Sequence, residues 1–323
     1  MIPNKNNFCG GNYDDWFEVM LTEKCNGGCN WCIEKNGYHP KKHASAEVLV
    51  NKILNYPVRS GKLNVILLGG EPTLYKDMFE LVNGIKDDVD IYVTTNGSMI
   101  TEDYIEKNLK GVKGINISIH HYDLSKNQEI TKIQLNQEYL EDAIVLCRRL
   151  NIGIRFNCNV IKGYIDSGSE ILKFVQWAKE TGADKIRFAE LKNEQGQFID
   201  LAKIMNYRYG LNDNPYIDGC NKDAVINDIP VNFRQMCGLQ TPLRQQPINP
   251  KCIYPKKVLY YDGEIYNGWQ TKGMEVNDMT DKEIRELIQK SIESALKEIV
   301  SGINKQPEKT ENTDQTSGFG CWY

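Results

Sequence analysis

Three cysteines within eight residues, Cys25, Cys29 and Cys32, are the part of this chain best suited to chemistry. Thiolates spaced by three and then two residues can wrap a single metal centre. Gly27 and Gly28 let the backbone curl so that the sulfurs converge. Cysteine thiolates are the usual ligands of iron–sulfur clusters, and three of them leave one iron of a [4Fe-4S] cube open to a further ligand. A structural zinc site is the competing reading. Tetrahedral zinc needs a fourth ligand at short range, which His39 or His43 could supply. Three free thiols without a metal are the remaining alternative.

Further chemistry-bearing residues recur along the chain. Leu68-Gly69-Gly70-Glu71-Pro72 combines glycines that admit a close neighbour with a carboxylate that can pair with an ammonium group. A glycine turn with a surface glutamate would read the same way in isolation. Thr94-Thr95-Asn96-Gly97 is a weaker signal, because Asn-Gly is a common turn. Ser118 and Asn157 are polar positions in otherwise apolar runs, functional or ordinary strand polars. His120-His121-Tyr122-Asp123 is either a substrate contact or a solvated loop, with no third ligand nearby to make a mononuclear metal site.

Each of these residues ends or lies on a short apolar run rich in β-branched or aromatic residues. The runs are Trp16–Leu21, Val65–Leu68, Ile91–Thr94, Ile115–Ile119, Ile152–Val160 and Lys185–Leu191, as buried parallel strands are. Helical spacing fills the intervals at Ala46–Leu54, Met78–Ile85, Glu102–Leu109, Gln137–Leu150 and Glu170–Thr181. Strands alternating with helices imply βαβ units and a parallel sheet. Six units predict an α/β fold, a partial (β/α)6 TIM-like barrel, with its chemistry at the carboxyl ends of the strands.

Cys-x3-Cys-x2-Cys after the first strand, with the aromatic Trp31 before the last cysteine, resembles the signature of the radical S-adenosylmethionine (SAM) superfamily. The resemblance covers roughly residues 15–192. It implies a [4Fe-4S] cluster on Cys25, Cys29 and Cys32, whose open iron holds the amino and carboxylate groups of SAM. Reductive cleavage of the sulfonium would then give a 5′-deoxyadenosyl radical that takes a hydrogen atom from substrate. Gly69, Gly70, Glu71 and Pro72 are similar to the motif that binds the SAM amino group, and Thr95 and Asn96 to a turn found in many members. Relatives use polar residues placed like Ser118 and Asn157 for the SAM carboxylate and ribose, and seat adenine near the sixth strand, at Phe188. Trp31 completes the implied cofactor contacts. Arg155–Gly163 and Arg187–Leu191 look most like the GTP cyclase of molybdenum-cofactor synthesis and its SPASM/twitch relatives.

A second cysteine set, Cys220, Cys237, Cys252 and Cys321, lies outside the barrel. Cys252 followed by Lys257–Tyr261, Asp262-Gly263 and Glu264–Asn267 resembles a twitch module, where a cysteine before a hairpin ligates an auxiliary [4Fe-4S] cluster. The hairpin reading also follows from the Asp-Gly turn. Gly268 and Trp269 stand where that family expects another cysteine, and the cyclase's C-terminal cysteine spacing is missing. The four could form one auxiliary cluster or pack as small hydrophobes. Cys147 and Cys158 read as core residues, and Cys9 has no interpretation.

The expected domains are an extension over 1–15, the partial barrel over 16–192, an accessory region over 193–302 and a polar linker with a Cys-Trp-Tyr tail over 303–323. Residues 193–255 read mostly as loop. Thr280 and Glu283 form a capping box for a helix that ends near Gly302. With 39 basic and 43 acidic residues and a net charge of −4, the chain does not read as a general nucleic-acid binder. It holds no apolar run long enough to span a membrane and no signal-peptide pattern at Met1, so the cytoplasm is expected. Ten cysteines in a reducing compartment point to metal or redox chemistry. The resemblance implies a flavodoxin- or ferredoxin-type reductant. The first expectation for substrate is a peptide or protein undergoing modification, the second a nucleotide or other small metabolite undergoing rearrangement. A non-catalytic iron–sulfur or zinc protein is the third.

Overall fold

Six strands, β1 (Trp16–Met20), β2 (Asn64–Leu68), β3 (Asp90–Thr95), β4 (Gly114–Ser118), β5 (Gly153–Asn159) and β6 (Lys185–Ala189), lie side by side in chain order. Every neighbouring pair is parallel. The computed structural model describes residues 16–58, 61–191, 195–201, 203–204, 221–235 and 257–269. Between the strands run α1 (Ala46–Leu54), α2 (Met78–Ile85), α3 (Glu102–Asn108), α4 (Leu124–Thr131), α5 (Gln137–Arg149) and α6 (Gly168–Thr181). Side-chain caps start most of them: Ser45, Thr101, Asn136 and Ser167 each accept from a backbone N–H in the first turn.

The alternation of β5 shows how the layers form. Ile154, Phe156 and Cys158 are buried, whereas Arg155, Asn157 and Asn159 are only partly so. Phe156 meets Trp177 of α6, so the buried set faces the helices and the polar set faces the inside of the curve. Phe174 and Phe188 are wholly buried in the helix-side core, each contributing about 1.5–3 kcal/mol of transfer free energy. Cys147 and Cys158 are buried there too, in the packing role expected of them.

Among the described residues the sheet has ten strands and does not close, in the order β10-β9-β1-β2-β3-β4-β5-β6-β8-β7. β9 (Lys257–Leu259) pairs in parallel with β1 and antiparallel with β10 (Ile265–Asn267), as the Asp262-Gly263 turn predicts. At the other edge, β8 (Ile229–Arg234) pairs in parallel with β6 and antiparallel with β7 (Asn221–Ile226). This second hairpin lies within 193–255, a stretch read from the sequence mostly as loop with no strand singled out. Its Asn227-Asp228 turn takes positive φ at both residues, 51° and 64°, which suits a tight hairpin. Asn, Asp and Pro dominate the surrounding composition and mask the alternation of Ile229, Val231 and Phe233. The α4 helix is also missed by the apolar periodicity. It buries only Asn127, Ile130 and Thr131, and starts on an Asp123 cap that accepts from the Ser125 N–H.

Because β1 to β6 are parallel, the loops that follow them all emerge at one end. The extension over 1–15, the helix expected after Thr280 and the tail from 303 lie outside the described residues.

Candidate active site

The pairing of β1 with β2 continues past the strand ends. Gly70 N–H donates to Thr22 O and Glu71 N–H to Lys24 O, both at 2.7 Å. A Cβ at Gly69 would stand 2.5 Å from Thr22 O, and one at Gly70 only 2.4 Å from Lys24 O. The glycines are therefore required first by the chain that leads into Cys25. Pro72 then opens a tight 3-10 turn, Pro72–Leu74.

Glu71 is 1% exposed. Its Oε1 accepts from Thr73 N–H at 3.1 Å, from the Thr73 hydroxyl at 2.6 Å and from the Thr95 hydroxyl at 2.6 Å. Its Oε2 accepts from Asn96 N–H at 2.7 Å. One carboxylate thus joins the loops after β2 and β3. Asn96 reaches onward to the cysteine loop, donating from Nδ2 to Asn26 Oδ1 at 2.8 Å. Asn26 Nδ2 in turn donates to Ser98 Oγ at 2.9 Å, and Ser98 N–H returns to Asn96 Oδ1 at 3.0 Å.

The far side of the cysteine loop rests on the end of α4. Thr131 O accepts from Gly28 N–H at 2.8 Å, and Cys29 Sγ lies 4.0 Å from the same oxygen. Lys132 closes the helix in the left-handed region, with φ of 62°. Trp31 is buried with Ile130, Ile161 and Leu191 and meets His120 edge-on, ring centroids 5.4 Å apart. His120 accepts at Nδ1 from Asn159 N–H at 3.0 Å, and burial pushes its pKa down to about 4, so the ring is neutral. His121 accepts at Nδ1 from Asp123 N–H. The first of the two histidines therefore supports the site's frame and is not part of a solvated loop.

Cys25, Cys29 and Cys32 are free thiols at the surface of this frame. Burial pushes Cys29 up to about 11, with the charges of Cys32 and Cys25 adding to the rise. Burial also raises Cys25, ahead of the opposing hydrogen bond from Gly27 N–H. The charge of a neighbouring sulfur adds to the rise at both Cys25 and Cys29, and a polycationic centre would relieve that repulsion. Among the described residues no group of three or more His, Cys, Asp or Glu side chains closes on a single ion. His39 Nε2 lies 3.0 Å from Glu34 O and His43 stacks on Tyr261, and among the described residues neither is gathered with the three sulfurs into a metal-ligand group. A cube gives each sulfur its own iron and does not need such convergence. The all-thiolate donor set fits the cluster.

Ser118 and Asn157 are register partners on the inner face of β4 and β5. Thr95 points to the helix side, where Glu71 holds it. Phe188 corrects one expectation. Its ring stacks on Phe233 and meets Phe174 of α6, so the side chain is packed between sheet and helices and does not line the inner face. Sequence patterning missed Asn26 and Thr131, and singled out His120 as a substrate contact or part of a solvated loop and not as packing for Trp31; these roles depend on contacts across the chain. Cys220, Cys237, Cys252 and Cys321 lie outside the described residues, and no auxiliary cluster can be traced among those that are described.

A triple-cysteine loop after the first strand of an open parallel α/β barrel defines the class, and the chain belongs to the radical SAM superfamily, whose family model matches residues 19–178. It is 30% identical over 285 residues to a GTP 3′,8-cyclase of Aquifex aeolicus, covering 82% of this chain and 85% of that protein. A GTP 3′,8-cyclase of Campylobacter fetus is 27% identical over 225 residues, covering 68% and 66%. In fold the chain is similar to Streptococcus suis SuiB bound to S-adenosylmethionine, with TM-score 0.59 and 18% identity, covering 85% of this chain and 67% of that one. The protein is therefore an enzyme of a family that works with a [4Fe-4S] cluster, SAM and a reductant. No helix among the described residues is long and apolar enough to cross a membrane.

Proposed function

We propose that this enzyme carries out a radical rearrangement of a nucleotide or a related small metabolite. The observation that carries this reading is the 30% identity with a GTP cyclase along 85% of that protein's length. Peptide modification, the first expectation from the sequence, draws only on a likeness of fold to SuiB. GTP is the first substrate to test. The missing cysteine after the β9–β10 hairpin, where Gly268 and Trp269 stand, argues for a chemistry related to the cyclase without being identical to it.

In this reading Cys25, Cys29 and Cys32 hold the cluster, and Glu71, Asn96, Ser118 and Asn157 orient SAM. When bound, cluster and SAM supply a 5′-deoxyadenosyl radical by reductive cleavage. The chain's own residues do the rest. Glu71 fixes the loop after β3, and its Oε2, which accepts from Asn96 N–H, has capacity to receive an ammonium group as well. Trp31 packs against the neutral His120 and keeps the cysteine loop seated. The inner face admits substrate beside the cofactor and limits water. A flavodoxin- or ferredoxin-type protein supplies the electron, and the cytoplasm suits oxygen-labile thiolate ligands. Residues 193–302 act as an accessory region, and any auxiliary cluster belongs to them.

Anaerobic incubation with SAM, reductant and a panel of nucleotides and peptides tests this. Nucleotides should raise 5′-deoxyadenosine release and yield a product of changed mass. Stimulation by peptides alone would overturn the proposal.

A further inference from the structure

Lysines gather at the cysteine loop from separate places in the chain. Lys24 immediately precedes Cys25. Lys35, in the short 3-10 turn after Cys32, donates from Nζ to Asn30 O at 3.3 Å, inside the loop itself. Lys132 closes α4 beside Gly28, where a Cβ on the glycine would stand 3.0 Å from Lys132 Cγ. Further on, Lys41 and Lys42 line a cleft of about 480 Å³ with Tyr38 and His39, together with Asp262 and Glu264 of the β9–β10 hairpin. All of these lysines are exposed, and so is Cys25.

Lysines elsewhere on the surface sit beside carboxylates: Lys62 by Asp90, Lys173 by Glu170 and Lys179 by Asp228. Among the described residues, none of Lys24, Lys35, Lys41, Lys42 and Lys132 has a carboxylate within ion-pair distance. The acidic groups of the same stretch are engaged otherwise. Glu23 lies 4.0 Å from His43, and the Glu34 carboxylate lies against Gly37. Glu129 offers Lys132 Nζ its backbone oxygen, at 2.9 Å. The chain as a whole is net −4, so this concentration of positive charge runs against its average. A surface region of one sign attracts partners of the other and steers their approach.

We propose that Lys24, Lys35 and Lys132, with Lys41 and Lys42 beyond them, form the docking surface for the electron donor, a small acidic electron-carrier protein. The proposal rests on the cysteine loop holding the cluster and is independent of which substrate the enzyme takes. The donor's reduced centre loses one electron and the cluster gains it, and no bond forms or breaks. Transfer needs the two centres close together, and a partner drawn to these lysines is brought to the loop that holds the acceptor. Electron-transfer encounters bury little area and depend on charge for their rate, so a patch of dispersed lysines suits such a visitor better than a permanent subunit. Asp262 and Glu264 disfavour an acidic partner at the hairpin, which confines the surface to the cysteine-loop side of the cleft.

Anaerobic stopped-flow absorbance of the reconstituted full chain, following reduction of the cluster without substrate, tests this. A reduced acidic flavodoxin is the probe and dithionite the small-molecule control. The second-order rate with flavodoxin should fall about tenfold or more as ionic strength rises from about 0.01 M to about 1 M, where the screening length shrinks from about 30 Å to about 3 Å. Lys35→Glu with Lys132→Glu should lower the low-salt rate about tenfold or more and flatten its salt dependence. Lys62→Glu with Lys179→Glu changes the net charge as much at other places and should leave the rate within about twofold. Iron content, and the rate with dithionite to within about threefold, should match the parent throughout. A parent rate indifferent to salt, an undiminished rate in Lys35→Glu with Lys132→Glu, or an equal loss in the control pair or with dithionite would overturn the proposal. If the double variant loses its iron, Lys35→Glu alone decides the matter. Because no substrate is present, an error about the nucleotide would leave this result intact, whereas a parent chain that takes up no iron would overturn the cluster assignment and this proposal together.

Discussion

The two halves of the inner face are built on opposite principles. At the carboxyl ends of β1 to β4, polar groups find one another: Glu71 binds Thr73, Thr95 and Asn96, and Asn96 binds Asn26. On β5, β6 and β8 the inner-face positions hold Arg155, Arg187 and Arg234, and Arg155 and Arg187 each donate from Nε to an asparagine, Asn157 and Asn232. The first half is satisfied before anything binds, as suits a site that must hold a cluster and cofactor in fixed geometry. The second half carries its positive charge along three strands, spread over residues far apart in the chain.

The largest way to break the contrast is at the rigid half. Cys29→Ala removes one of the three sulfurs, and SAM cleavage should fall more than about a hundredfold, beyond the usual effect of outer ligand supports. Retention of cleavage within tenfold would show that the sulfur does not hold the cluster. Gly70→Ala should do nearly as much harm. Its Cβ would meet Lys24 O at 2.4 Å, so the backbone leading into Cys25 must move. Reconstituted iron content should drop with it, and an iron content equal to the parent's would contradict the packing described.

Glu71→Gln sharpens the contrast without removing a metal ligand. The amide cannot accept from all the donors that the carboxylate serves, and about 1–3 kcal/mol of stability should be lost. A thermal melt of the metal-free chain measures this, and an unchanged midpoint would mean that Glu71 does not join the loops.

His120 carries the pH dependence of the same half. Its pKa in the folded chain, about 4, lies below the usual 6.5, so the unfolded chain takes up the proton first. The stability it contributes is complete above pH 6.5 and is lost as pH falls toward 4, at up to about 1.4 kcal/mol per pH unit. Denaturant melts of His120→Asn should show this slope reduced by one proton, and a slope equal to the parent's would place the titration elsewhere. The smallest effect is at Lys132, whose φ of 62° favours glycine. Lys132→Gly should stabilise the chain by about 1 kcal/mol, read as a small rise in melting midpoint.

The rigid half was largely legible in the sequence, because its parts are contiguous: Cys25 to Cys32, Gly69 to Pro72, Thr94 to Gly97. Strand and helix order followed from apolar periodicity for the same local reason. The polar half was not legible, since placing Arg234 on the same inner face as Arg155 and Arg187 depends on β8 joining β6 in a given register. A proline-containing strand in an Asn- and Asp-rich stretch hides that pairing. Phe188 shows the converse error. Its place at the sixth strand was right, but which face it took depended on a shift of one residue.

The most direct test of the central claim is anaerobic. The reconstituted chain and Cys29→Ala are incubated side by side with SAM and a strong reductant, and 5′-deoxyadenosine is measured. The parent should release it and the variant should not. Equal release by both, or zinc in place of iron at this loop with no release by either, would contradict the account.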